Sequence, residues 1–245
     1  MKKQLSNTNV DLRFKRSKEG PELSLIRSFV ENIERIFYAE DLVLEIFEEP
    51  YIETAIPDIV IAFWDENQFN CSWGEARNLL EKQDIKILHH MYLTNKTLDT
   101  AALKADLGYS ERELEKTIER LKEAGLLHEN PKGFKPGSGG EIFFVKTIIS
   151  VEAKIKNWKK AFEQAWLNKS FASESYVLLP KNKISPHITA YAKKIGVGLI
   201  GHNDEDSIVS QKPPREEIPS SYLSWLFNEN VGRKWYYKNC YQGVG

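Results

Sequence analysis

The sequence predicts an α/β protein, a mixed sheet flanked by helices and interrupted by a separate, mainly helical segment. Three observations lead there. Two short β-branched and aromatic runs, LVLEIFEEP and PDIVIAFW, stand in the first third of the chain and read as strands. A long stretch of helical patterning follows from Gly74. Strand and helix patterns then alternate from VKTIISVEAKI to VGLIG, the order expected of parallel β-α-β crossovers.

Taken in order, Gly20-Pro21 opens a helix in which Ile26, Phe29, Val30, Ile33 and Phe37 share one stripe. The run from Ile59 to Phe63 is apolar at both parities, so it predicts a central strand covered on each face. GEARNLLEKQDIKILHHMYL, TLDTAALKADLG and SERELEKTIERLKEAGLL then give three successive helices. The third opens on Ser110 with Glu113 three residues on, a capping box, and closes at Gly125. Its Leu114, Ile118 and Leu121 form the apolar side, expected to pack on Leu98, Ala102 and Leu107. HENPKGFKPGSGGEIFFV supplies a turn-rich loop that leads into a strand. VKTIISVEAKI, SYVLLP and VGLIG read as strands, separated by helices in NWKKAFEQAWLNKSF and SPHITAYAKKIG. Pro213, Pro214 and Pro219 mark a loop before a peripheral helix around Tyr222 to Asn228.

Composition narrows the function classes. With 34 basic and 35 acidic residues the chain has a net charge of −1, which argues against a surface that coats nucleic acid and leaves room for a focal polyanion site. Cys71 and Cys240 form no CxxC pair, which argues against a zinc ribbon or disulfide framework and fits a reducing cytosol; the expected location is cytoplasmic. The basic N-terminus, MKKQLSNTNVDLRFKRSKEG, lacks the apolar core of a signal peptide, and no apolar run approaches the roughly 18 residues of a membrane span. Neither a GxxxxGK[ST] loop nor a GxSxG elbow is present. His89 and His90 are adjacent on a helix and point apart, while His187 and His202 are isolated, so none forms an obvious metal pair.

One constellation carries chemistry. Asp58 follows Pro57 at the start of the buried strand, and Glu152 and Lys154 lie two apart near the end of VKTIISVEAKI, where i and i+2 share a strand face. Alone, Pro57-Asp58 also suits a turn, and Glu-x-Lys also suits a solvated strand face. In the order PD, strand, strand, ExK, helix, strand, the chain resembles the PD-(D/E)XK nuclease superfamily. Gln164, in KKAFEQAW, stands where that superfamily places a helical glutamine. Glu22, in GPELSLIRSFV, matches its first-helix acid, with Glu31 and Glu34 on the same helix as alternatives. The segment from Glu75 to Val145, three helices and then a β-wing, resembles a winged helix-turn-helix.

The resemblance implies a restriction-endonuclease-like core over residues 1–74 and 146–245, with 1–20 as a basic arm, interrupted by an inserted α+β winged-helix domain at 75–145. It implies a metal-dependent DNA endonuclease in which Asp58, Glu152 and the Ala153 carbonyl hold Mg²⁺, with Mn²⁺ as its substitute, since such ions prefer oxygen ligands. Lys154 would orient the attacking water or stabilise developing charge, and Gln164 would support it. Duplex DNA is the expected partner. Arg112, Lys116 and Arg120 would face it from the third helix, and Lys132 and Lys135 would reach it from the loop. That helix also carries Glu111, Glu113, Glu115, Glu119 and Glu123, so docking on a partner protein or a second copy is as open. A restriction, phage-defence or repair setting suits such a fold. The alternative is a non-catalytic DNA-binding or regulatory protein that keeps the nuclease scaffold.

Overall fold

The computed structural model describes residues 13–14, 19–52, 56–204, 206–218 and 221–242; most of the basic arm read at 1–20 lies outside them. The elements in the first part of the chain are β1 (Arg13–Phe14), α1 (Pro21–Val30), β2 (Val43–Glu48), β3 (Pro50–Tyr51) and β4 (Ile59–Trp64). The middle holds α2 (Glu66–Ser72), α3 (Lys82–Thr94), α4 (Thr100–Leu107), α5 (Glu111–Glu123), β5 (Leu127–Asn130), β6 (Gly133–Pro136) and α6 (Gly139–Ile142). The last part holds β7 (Val145–Ala153), α7 (Trp158–Asn168), β8 (Glu174–Pro180), α8 (Pro186–Ile195), β9 (Gly198–His202), β10 (Ser207–Gln211) and α9 (Tyr222–Gln242). They fall into two compact units, a sheet unit drawn from residues 12–64 and 145–224 and a helical unit whose described residues come from 65–144 and 225–242.

The sheet unit is α/β. Its six-stranded sheet runs β10-β9-β8-β7-β4-β2, with β7, β8 and β9 parallel and the other neighbours antiparallel. All six residues of β4 are buried, because both faces of the sheet are covered. On one face Ile59, Ile61, Phe63, Ile149, Val151, Tyr176 and Leu178 pack with Ile26 and Phe29 of α1 and with Ile33 and Phe37 beyond it. On the other, Val177, Leu179 and Leu199 meet Ala161, Phe162 and Ala165 of α7 and Ile188 and Ala192 of α8. The alternation of Tyr176 and Leu178 with Val177 and Leu179 is the period of two that a strand imposes. Gly198 lies beside Tyr176 in the register, and a Cβ at 198 would stand 2.2 Å from the tyrosine ring. Strand β10 is an addition to the reading from sequence: SIVSQ is short, and its pairing with β9 breaks register between Val209 and Gln211.

The helical unit keeps the expected third helix. Ser110 Oγ accepts from the Glu113 amide at 3.4 Å, and Glu113 returns to the Ser110 amide at 2.9 Å. Leu114, Ile118 and Leu121 are buried, as is Leu103 of α4, and β5 pairs antiparallel with β6. Two boundaries differ from the sequence reading. The first helix does not run on from Gly74: Glu75–Leu79 is a 3-10 turn, and α3 starts afresh at Lys82 behind a Glu81/Asp84 capping box. The tail helix neither ends near Asn228 nor lies at the periphery, since α9 reaches Gln242 and residues 225–233 are buried. Its polar letters hide that burial because they are paired inside. Glu229 holds the fully buried Arg77 guanidinium at 2.9 and 2.6 Å, and Arg77 also stacks 4.5 Å over Trp73. The residues from 225 onward therefore group with the helices, whereas the sequence division at 146 places them with the sheet. No helix among the described residues is long and apolar enough to cross a membrane.

Candidate active site

The site forms where β4 begins and β7 ends. Antiparallel pairing of Ile59 with Val151 sets Asp58 against the last residues of β7. Asp58 Oδ2 accepts from the Ala153 amide at 2.7 Å and lies 3.7 Å from Lys154 Nζ. The Lys154 amide donates to Leu178 O on β8 at 3.0 Å, fixing the backbone just past the strand end. Its ammonium folds back to donate to the Ala153 carbonyl at 2.8 Å and to Glu22 Oε2 at 3.4 Å. Glu22 comes from the first turn of α1, and its Oε1 accepts from the Ile155 amide at 3.4 Å. Asp58, Glu22 and the Ala153 carbonyl thus surround one ammonium group.

Glu152 takes a different direction. It is 2 % exposed and accepts from Asn168 Nδ2 of α7 at 2.8 Å. Ser150, two residues earlier on the same face, joins Ser175, which donates to Ala165 O of α7. The i, i+2 spacing would aim Glu152 and Lys154 alike, but β7 stops at Ala153 and the Lys154 side chain turns toward α1. Gln164 lies one helical turn before Asn168, on the same side of α7. Its Oε1 is buried and accepts no hydrogen bond among the described residues.

Electrostatics at Asp58 favour a cation. Burial pushes its carboxyl above the ordinary range, with Glu49 and Glu22 adding to the rise, against the pull of Lys154 and the Ala153 amide. Positive charge is what such a carboxylate lacks, and Lys154 supplies it. The oxygens around Lys154 are hard donors of the kind Mg²⁺ takes, with the ammonium standing in for a cation. Asp58 Oδ1 accepts no hydrogen bond among the described residues. The donor chemistry therefore fits a divalent ion. Among the described residues, no three His, Cys, Asp or Glu side chains are already gathered for one, so Lys154 and the Glu152–Asn168 bond would have to give way.

The residues read as DNA-facing divide. Arg112 and Lys116 are exposed on α5, and Lys132 and Lys135 are exposed on the β5–β6 hairpin. Arg120 is committed inside its own unit: its Nε and Nη2 reach the buried Asp84 at 2.8 and 2.6 Å, and Thr117 donates to the same carboxylate at 2.7 Å. Sequence reasoning missed Asn168 and Glu49. Asn168 was open to view as a polar residue four after Gln164; Glu49, whose amide donates to Asp58 O at 2.9 Å, carries no sequence signal. No family profile, curated protein or solved structure matches the chain.

Proposed function

We propose that the protein is a metal-dependent DNA endonuclease of the PD-(D/E)XK type. The observation that carries this reading is the convergence of Asp58, Glu22 and the Ala153 carbonyl on Lys154 at the end of β7. Asp58, Glu152 and the Ala153 carbonyl would hold Mg²⁺, with Mn²⁺ as its substitute and Glu22 alongside. When bound, the ion supplies Lewis acidity toward the phosphate and an acidified water. Displaced from its oxygens, Lys154 keeps its positive charge within reach of the phosphate and stabilises the charge that builds there. Gln164, whose Oε1 accepts no hydrogen bond among the described residues, orients a water proton.

The trio α3, α4 and α5 with the β5–β6 hairpin supports a winged helix that seats duplex DNA. Arg112, Lys116, Lys132 and Lys135 are its phosphate contacts. Restriction or phage defence is the setting the resemblance suggests, and a homodimer would place two sites on two strands. A second reading, a non-catalytic DNA-binding protein that retains the scaffold, draws on the burial of Glu152 beneath Asn168.

Supercoiled plasmid decides between them. Wild-type protein should nick and linearise it with Mg²⁺ or Mn²⁺ and not in EDTA, and Lys154→Ala should lower the rate by about 100-fold or more. Tight, metal-independent DNA binding without cleavage would establish the second reading instead. Sedimentation that shows only monomer, with and without DNA, would remove the dimer.

A further inference from the structure

The sheet unit holds a cavity of about 320 Å³ at the end of the sheet away from Asp58, reached between the turn after α1 and the segment after β10. Its position is set by register: Ile149 pairs with Glu174, whereas Ala153 pairs with Leu178, so the cavity lies about 13 Å along the strands from the candidate active site. The floor is built rather than open. Phe37 is 7 % exposed, and Thr147 is 6 % exposed with a hydroxyl that makes no hydrogen bond among the described residues. That hydroxyl is not sealed from solvent, and Thr147 lines the cavity, where a ligand can supply its partner.

Polar and aromatic groups of distinct kinds converge on the same space. Glu174 accepts from Tyr176 OH at 2.7 Å through one oxygen, and the other accepts nothing among the described residues. Burial, then Glu174, keeps the Tyr176 phenol protonated far above the neutral range. Lys212 and Arg215 are exposed at the cavity and form no ion pair among the described residues. Their segment is held in place: the Glu216 amide donates to Ser173 O at 3.4 Å, Glu216 pairs with Lys169 at 3.3 Å, and Pro213 and Pro214 restrict the backbone. Tyr38, 81 % exposed, stands at the same cavity as a large aromatic surface without cover.

We propose that this cavity is a binding site for a nucleoside monophosphate. The volume suits one small ligand and falls at the low end of known ligand sites. The base lies against Phe37 and Tyr38, and a base or ribose donor reaches the second oxygen of Glu174. Thr147 completes the polar contacts within, and Arg215 with Lys212 takes the phosphate, for which a guanidinium fork is suited. The site does not depend on the nuclease reading.

Calorimetric titration of the full chain in EDTA with AMP, GMP, CMP and UMP tests it, with inorganic phosphate and adenosine as the separate halves. At least one monophosphate should bind with 1:1 stoichiometry, and each half should bind at least about tenfold more weakly. Lys212→Ala combined with Arg215→Ala should weaken that binding at least about tenfold, and Thr147→Val several-fold. Asp58→Asn should leave it unchanged. Lys212 and Arg215 are exposed, so their loss should spare the fold, with the melting temperature as the check. No binding of any of the four at millimolar concentration would overturn the proposal. So would binding that ignores the double variant, binding that is lost in Asp58→Asn, or phosphate binding as tightly as the nucleotide.

Discussion

Asp58 shows how a single residue can set chemistry against stability. Its carboxyl is pushed up chiefly by burial, so the folded chain holds that proton more tightly than the unfolded chain does. For a folded value above the unfolded one, the stabilising contribution is complete below the unfolded pKa and is lost as pH rises through the folded pKa. Asp58→Asn, which keeps an oxygen for the Ala153 amide, should therefore melt above wild type at about pH 8, with the gap closing toward about pH 4. A melting curve at each pH checks this, and a variant less stable at pH 8 would show that Lys154 outweighs burial. Asn168 tests the other half of the site. Asn168→Leu removes the donor to buried Glu152 and should cost about 1–3 kcal/mol in urea unfolding. The order of PD and ExK in the sequence leads to Asp58 and Lys154, but nothing in it tells that the ammonium would fold onto Glu22. That depends on β7 ending one residue before the lysine.

Secondary elements were legible where apolar periodicity was strong. β4 reads as buried because both parities are apolar, and α7, β8, α8 and β9 alternate as crossovers require. α2 escaped because ENQFNCS offers one buried residue, Phe69, and otherwise polar letters; what starts it is Asp65, whose Oδ1 accepts from the Gln68 amide at 3.0 Å. α5 was legible to its cap, yet its charge pattern could not say that Arg120 belongs to Asp84, 36 residues earlier. Arg120→Ala should thus act on stability before it acts on DNA. It leaves Asp84 buried with Thr117 as its side-chain partner on α5, and a loss of about 3–5 kcal/mol is expected in thermal or urea unfolding. An unchanged midpoint with weakened DNA binding would return Arg120 to the surface.

At the scale of the whole chain, the described part of the helical unit is assembled from two stretches that are far apart in sequence. The buried pair Arg77–Glu229 joins them across 152 residues. A chain ended after Ser221 loses both the Glu229 carboxylate and the helix that carries it, whereas Glu229→Gln leaves the Arg77 guanidinium buried without its charge partner, which costs far more than the loss of a surface pair. Amide exchange should show α3 and α5 losing protection in that truncated form, and Glu229→Gln should reproduce part of the loss. Retained protection in both would mean that the Ser72, Glu141 and Ile142 carbonyls, which already accept from Arg77, hold the guanidinium without Glu229. Sequence could not foretell this, because a charged letter in a helix is ordinarily read as a solvated one, and only the partner reveals burial.

Gly198 ties one position to one ring. The space a side chain would need there is already filled by Tyr176 from the neighbouring strand. Even a methyl group would force that ring to move, and the ring is part of the cavity wall. The smallest mutation at this point of β9 would therefore act as a plug, reshaping a chamber that it does not itself line.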